Sequence, residues 1–244
     1  MTQARWAGAG ERDPRHPPPP GRRAAPRCAT ALVIGAGLAG AAAARGLAHE
    51  GVQVTVLERH AQAAREASGN PAGLFHGVVH GHDGNHAQCL RAGSLRAAQC
   101  LAPLVATGQV PGQVQGLLRG TTAVDTVEAM QARLCAQGLP AALVEALDPA
   151  QAAEKAGRSV AGAAWLHHPA GWVSPPSVVS AWLSLPGVKL CCGRAVHQVR
   201  RAANGEAWLA LDALGHIIAQ ADVLVLANAH DASRLLADGP GAVP

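Results

Sequence analysis

Three glycines and one glutamate are the residues of this chain whose types and spacing do recognisable chemistry. They are Gly35, Gly37 and Gly40 in the run Gly35-Ala36-Gly37-Leu38-Ala39-Gly40, and Glu58 downstream. The spacing is that of a phosphate-binding turn. Gly35 permits the tight turn, Gly37 lets backbone approach a pyrophosphate with no Cβ in the way, and Gly40 lets a helix pack closely on a strand. The free N–H groups and dipole of the helix then favour negative charge. Glu58 follows Gly40 at close to the spacing of about 20 residues at which an acid accepts hydrogen bonds from ribose hydroxyls.

That chemistry works only if regular elements hold these residues in place. Ala31-Leu32-Val33-Ile34 is a short apolar run of the kind that forms a buried parallel strand. Ala41 to His49 reads as a helix, closed by Gly51. Val52, Val54, Val56 and Leu57 form a second strand that ends at Glu58. With the strand before, the helix after and the acid beyond, the glycine motif predicts a βαβ dinucleotide-binding unit. The alternative, a glycine-rich loop in an alanine-rich chain, lacks that context.

The rest of the sequence is read more coarsely. The middle is expected to be mainly helical, with helices over His86 to Val105 and Asp125 to Ala136. Two more helices start at Asp148-Pro149 and Ser174-Pro175, where a capping side chain precedes a proline suited to the first turn. Strands follow at Val188 to Leu190, Ala195 to Val199, Ala207 to Leu211, His216 to Ile218 and within Ala221 to Ala227, with Asn204-Gly205 as a hairpin turn. Residues 1–27 are rich in Pro and Arg, including Pro17 to Pro20, and read as a linker or disordered tail.

Composition narrows the class. Hydrophobic residues make up 49% and charged residues 15%, which is globular. With 5 Trp, 1 Phe and no Tyr, aliphatic and alanine side chains must fill the core. The net charge of +4 sits largely in the tail, where Arg5, Arg12, Arg15, Arg22, Arg23 and Arg27 face only Glu11 and Asp13. Such a tail suits either a polyanion or plain solvation. The six cysteines form no C-x-x-C pair and read as small apolar residues in a reducing compartment. Neither a signal peptide nor a membrane-spanning stretch is recognised, so a soluble cytoplasmic protein is expected.

His76, His80, His82, Asp83 and His86 crowd one segment. The types suit a metal, but no regular element fixes their geometry, and a polar loop is the preferred reading. No G-x-S-x-G or Cys/His arrangement for nucleophilic catalysis is present.

Beyond Glu58 the chain runs through Arg59 and Arg65 into Ser68-Gly69-Asn70-Pro71-Ala72-Gly73-Leu74. That loop suits either the second phosphate of a dinucleotide or an ordinary surface turn. The order of Gly35 to Gly40, Leu57-Glu58-Arg59 and Ala67 to Leu74 resembles the D-amino-acid-oxidase-type family of FAD-dependent oxidoreductases. The continuation through Phe75-His76 to Asp83-Gly84, and Ala170-Gly171-Trp172-Val173-Ser174-Pro175, is most similar to one branch. That branch is the oxidoreductase part of bifunctional tRNA 5-methylaminomethyl-2-thiouridine biosynthesis proteins.

The resemblance implies an α/β FAD-binding dinucleotide fold with an inserted substrate domain, truncated at the carboxy end. On that basis the FAD-binding parts are residues 28–80 and 174–244, and the substrate domain is residues 81–173. It implies that Arg59, Ser68, Asn70, Gly73 and Leu74 contact FAD, that the Val196 backbone faces the adenine, and that Ala227 ends a strand beside the cofactor. Where the family has Ala-Asn-Gly, this chain has Ala227-Asn228-Ala229. The implied reaction is oxidation of a secondary amine, removing the carboxymethyl group of carboxymethylaminomethyl-uridine at the tRNA wobble position. Two rival readings stand beside it: an oxidase of a free small amine of the glycine or sarcosine type, and an inactive flavoprotein fragment. A partner domain or chain completing the fold is a further expectation.

Overall fold

The computed structural model describes residues 28–121 and 126–237. Strand β1 (Thr30–Ile34), helix α1 (Leu38–His49) and strand β2 (Gln53–Leu57) open the chain. Next come β3 (Gly73–Phe75), α2 (Asn85–Ala106), β4 (Gly112–Gln113), β5 (Leu117–Gly120) and α3 (Val127–Ala136). They are followed by β6 (Val144–Leu147), α4 (Pro149–Ala156), β7 (Ala164–His167), β8 (Gly171–Val173) and α5 (Pro175–Leu183). The last elements are β9 (Val188–Cys191), β10 (Gln198–Arg201), β11 (Trp208–Leu211), β12 (Ile217–Ala221), β13 (Val223–Leu226) and α6 (Asp231–Ala237).

A parallel sheet in the order β13-β1-β2-β9 carries the βαβ unit. Its central strand is apolar on both faces, with Leu32 and Val33 at 0% exposure. Burying each such side chain contributes about 1.5–3 kcal/mol. One face packs on α1 and α5 through Val33, Ala41, Ala44, Val54, Val56 and Val179. The other packs on the antiparallel sheet β10-β11-β12 and on Leu235 of α6. Asp222 fixes the register between β1 and β13: its Oδ2 accepts the N–H groups of Ala29 and Thr30, each at 2.9 Å. Those bonds, that from Thr30 first, hold its carboxyl below the ordinary carboxylate range.

The middle of the chain departs from the helical expectation. Helices α2, α3 and α4 are present, but six short strands lie among them and on either side. They form two three-stranded antiparallel sheets, β3-β8-β4 and β5-β7-β6. Strands of two to four residues are too brief to show alternation. Strand β3 lies in the stretch 28–80 yet pairs with β8, so the two sequence segments meet in one sheet. Asp125, the expected start of α3, and residues 1–27 lie outside the described residues; Thr126 caps α3 by accepting the Ala129 N–H. Asp148 caps α4 in a full capping box with Gln151. Ser174 precedes α5, but its hydroxyl accepts from the Ser177 hydroxyl instead of capping the backbone.

Two further boundaries differ from expectation. Helix α1 starts at Leu38, so Gly40 lies inside it. Glycine disfavours helix interiors, which is why the sequence places the start later. The strand expected over Ala195 to Val199 begins only at Gln198, with residues 194–197 running to it from the turn at Gly193, φ +66°. Among the described residues, no helix is long and apolar enough to cross a membrane.

Strand β7 buries a histidine. His167 is only 4% exposed, and its ring lies 5.3 Å from that of His76. Burial first, then the nearby His76, Arg119 and His168, push its pKa down from 6.5 to about 4. The unfolded chain therefore binds the proton more readily than the folded one. Stability should fall as pH drops from about 6.5 towards 4, with at most a single-proton slope of about 1.4 kcal/mol per pH unit. Melting temperatures across that window should fall less steeply for His167→Gln than for the unaltered protein.

Candidate functional site

A cleft lies at the carboxyl ends of β1 and β2, where open α/β sheets take ligands. Its volume is about 630 Å³, within the range of small-molecule sites. Gly35, Gly37, Glu58, Arg59, Ser68, Val196 and Ala227 all line it. The sequence spreads these seven over five segments, and the parallel sheet brings them together.

The structure shows the tight turn at Gly35 and the close helix packing at Gly40. Gly35 has φ +101°, and its N–H donates to the Leu57 carbonyl at 2.9 Å. A Cβ there would lie 2.7 Å from the Ala227 carbonyl oxygen, so the turn sits directly on the end of β13. A Cβ at Gly40 would lie 1.9 Å from the Gly35 carbonyl oxygen, so helix and turn are in contact. The first N–H groups of a helix lack partners within it; that of Leu38 donates to Ser68 Oγ at 2.9 Å. The Ser68 hydroxyl thus stands at the amino end of α1, and a Cβ on Gly37 would come within 3.0 Å of it.

Glu58 is 7% exposed. Its Oε2 accepts the Ala36 N–H and its Oε1 the His60 N–H, both at 2.9 Å. The carboxylate therefore braces the phosphate turn as well as facing the cleft. A carboxylate has about four lone-pair sites, so capacity for ribose hydroxyls remains.

Arg59 is engaged by two acidic side chains. Its Nε and Nη2 donate to Glu66, and its Nη1 donates to Asp231 Oδ2 at 2.6 Å. These bonds, that to Glu66 first, raise its pKa further. His60, at 2.9 Å, and then Arg59 lower the pKa of Glu66. The end of β2, the loop before Ser68 and the start of α6 are joined by this one guanidinium. Glu66, Asp231, Arg194 and Arg234 also line the cleft and were not singled out from sequence. They lie far apart in the chain and carry no shared motif.

Asn70, Gly73 and Leu74 lie beyond the cleft. Asn70 Nδ2 donates to the Ala67 carbonyl at 3.2 Å. Gly73 packs beneath Pro175, and Leu74 is 68% exposed, directly across from Trp172 in the β3–β8 pair. The histidine-rich segment is organised by an ion pair, Arg91 to Asp83 at 2.5 Å. Among the described residues, no three His, Cys, Asp or Glu side chains are grouped to hold a metal ion. All six cysteines are free thiols.

At the far wall, Asn228 Oδ1 is buried without a hydrogen-bond partner, and Ala229 holds φ +51°. An orphaned acceptor, glycine-faced backbone and a helix amino end in one cleft fit a dinucleotide with hydroxyl and phosphate groups.

Fold and cleft together define a dinucleotide-binding α/β protein. Residues 30–244 match the model of the FAD-dependent oxidoreductase family described as "DAO: FAD dependent oxidoreductase", and the chain belongs to that family. FAD is the family's cofactor. Among curated proteins, it is 40% identical over 235 residues to the tRNA 5-methylaminomethyl-2-thiouridine biosynthesis bifunctional protein MnmC of Methylibium petroleiphilum, covering 95% of this chain and 36% of that protein. It is 41% identical over 215 residues to the protein of the same name from Thiobacillus denitrificans, covering 87% of this chain and 33% of that protein. The chain thus spans about a third of the length of these relatives. Among solved structures it shares its fold with glycine oxidase from Bacillus cereus, at TM-score 0.62 and 20% identity, covering 85% of this chain and 57% of that one. Iminodiacetate oxidase from Chelativorans aligns with TM-score 0.61 and 23% identity over the same shares.

Ala229 gives a direct test of the local geometry. An alanine in the left-handed region costs about 1–2 kcal/mol, and a glycine there does not. Ala229→Gly should raise stability by about 1 kcal/mol, read as an increased denaturation midpoint with unchanged slope.

Proposed function

We propose that this chain forms the FAD-binding part of an enzyme that oxidises a secondary amine at a CH–NH bond. The observation that carries the reading is the cleft itself, where Gly35, Gly37, Ser68 and the amino end of α1 meet beside Glu58. Bound there, FAD would supply the acceptor for the hydride leaving the carbon next to nitrogen.

The chain's own residues divide the remaining work. Gly35, Gly37 and the first turn of α1 hold the pyrophosphate, with Ser68 beside them. Glu58 receives the ribose hydroxyls, and the Val196 backbone faces the adenine. Asn70, Gly73 and Leu74 continue from the phosphate end towards the flavin. Leu74 and Trp172 expose apolar surface on the outer face of β3 and β8, which a flat ring system would cover.

The substrate we infer is the carboxymethylaminomethyl group of the tRNA wobble uridine, from which oxidation and hydrolysis of the imine would remove the carboxymethyl group. The likeness to the named tRNA-modifying proteins at about 40% identity supports it over a free amine. A tRNA substrate would place the enzyme in the cytoplasm. A partner domain or chain would lie along β13, an edge strand among the described residues whose Val223 to Leu226 are only half-buried.

The test is the visible absorption spectrum of the purified chain with and without added FAD. Flavin bands should travel with the protein through gel filtration, and the carboxymethylaminomethyl-uridine of added tRNA should be consumed. A colourless protein that takes up no FAD would sink the reading. Turnover of glycine or sarcosine but not of tRNA would replace the substrate with a small amine.

A further inference from the structure

Four arginines line the cleft: Arg59, Arg65, Arg194 and Arg234. Two are committed to the protein. Arg59 is held by Glu66 and Asp231, and Arg234 Nη1 donates to the His197 carbonyl at 3.1 Å. Arg65 and Arg194 have no side-chain hydrogen bond or ion pair among the described residues. Arg65 sits in the loop that bears Ser68. Arg194 is placed differently, since its N–H donates to the Glu58 carbonyl and the preceding Gly193 N–H to the His60 carbonyl, both at 2.8 Å. Gly193 takes the left-handed φ of +66° that this turn requires. The backbone of Arg194 is thereby pinned to the residue beyond β2, at the acid that faces the ribose and two residues before Val196, while its side chain stays uncommitted.

We propose that Arg194 recognises the adenosine half of the dinucleotide, its planar cation stacking on the purine. The proposal rests on the FAD reading above and makes Arg59 a brace of the cleft instead of a contact to the ligand. A guanidinium is weakly hydrated and stacks well on aromatic faces, which an ammonium does not reproduce. The cleft would then select FAD over FMN by its adenosine end.

The test measures binding of FAD and FMN by flavin fluorescence and of ADP by calorimetry. Arg194→Met should weaken FAD and ADP by about tenfold and leave FMN unchanged. Arg194→Lys should stay weakened, because charge without the plane is insufficient. Melting temperatures close to that of the unaltered protein are expected for both variants, since Arg194 is exposed. Unchanged FAD and ADP affinity in Arg194→Met, an equal loss for FMN, or full recovery in Arg194→Lys would overturn the proposal. An unaltered protein that binds neither FAD nor ADP would refute the FAD reading itself, and the proposal with it.

Discussion

Close contact between backbone and backbone at the phosphate turn is the constraint on which the rest of this structure depends. A Cβ at Gly40 would lie 1.9 Å from the Gly35 carbonyl oxygen, and one at Gly35 would lie 2.7 Å from that of Ala227. Helix α1, the turn and the end of β13 therefore meet with no side chain between them. That approach sets the amino end of α1 beside the carboxyl ends of β1 and β2, where the cleft opens. The apolar core on both faces of the parallel sheet keeps the three elements at that distance. Packing of this density tolerates little added volume.

Charge is arranged around this contact in two tiers. Glu58 is buried and spends one oxygen on each of two N–H groups, so it stiffens the turn while keeping lone pairs for a ligand. Further out, Arg59 gathers Glu66 and Asp231 into one cluster. The cluster joins segments that are distant in the chain, but it lies in solvent, where each pair contributes little to stability. Its effect is on shape, since it fixes the loop that delivers Ser68 to α1.

Much of the parallel-sheet half was legible in the sequence. The apolar runs of β1 and β2, the glycine spacing and the acid after β2 each point to the same unit, and the α/β class follows. The hairpin strands β10 and β11 around Asn204-Gly205, and β12 after them, were legible too, but the two small sheets of β3 to β8 were not, because those strands are short and find their pairing through long-range contacts such as Leu117 with His167. Of the residues implied by the family resemblance, Arg59, Ser68, Val196 and Ala227 line the cleft, whereas Asn70, Gly73 and Leu74 lie outside it. The bond from Arg59 to Asp231 spans 172 positions and has no local signature. Arg194 is likewise one arginine among many until the turn at Gly193 places it against Glu58.

The most direct test of the central claim is backbone hydrogen exchange with and without FAD. Bound FAD should slow exchange in residues 34–39, 57–60, 64–68, 194–197 and 226–229, the segments that wall the cleft. The distant strands β5, β6 and β7 should exchange as before. Unchanged exchange around Gly35 to Gly40 at saturating FAD, or protection confined to other segments, would contradict the assignment of this cleft as the dinucleotide site.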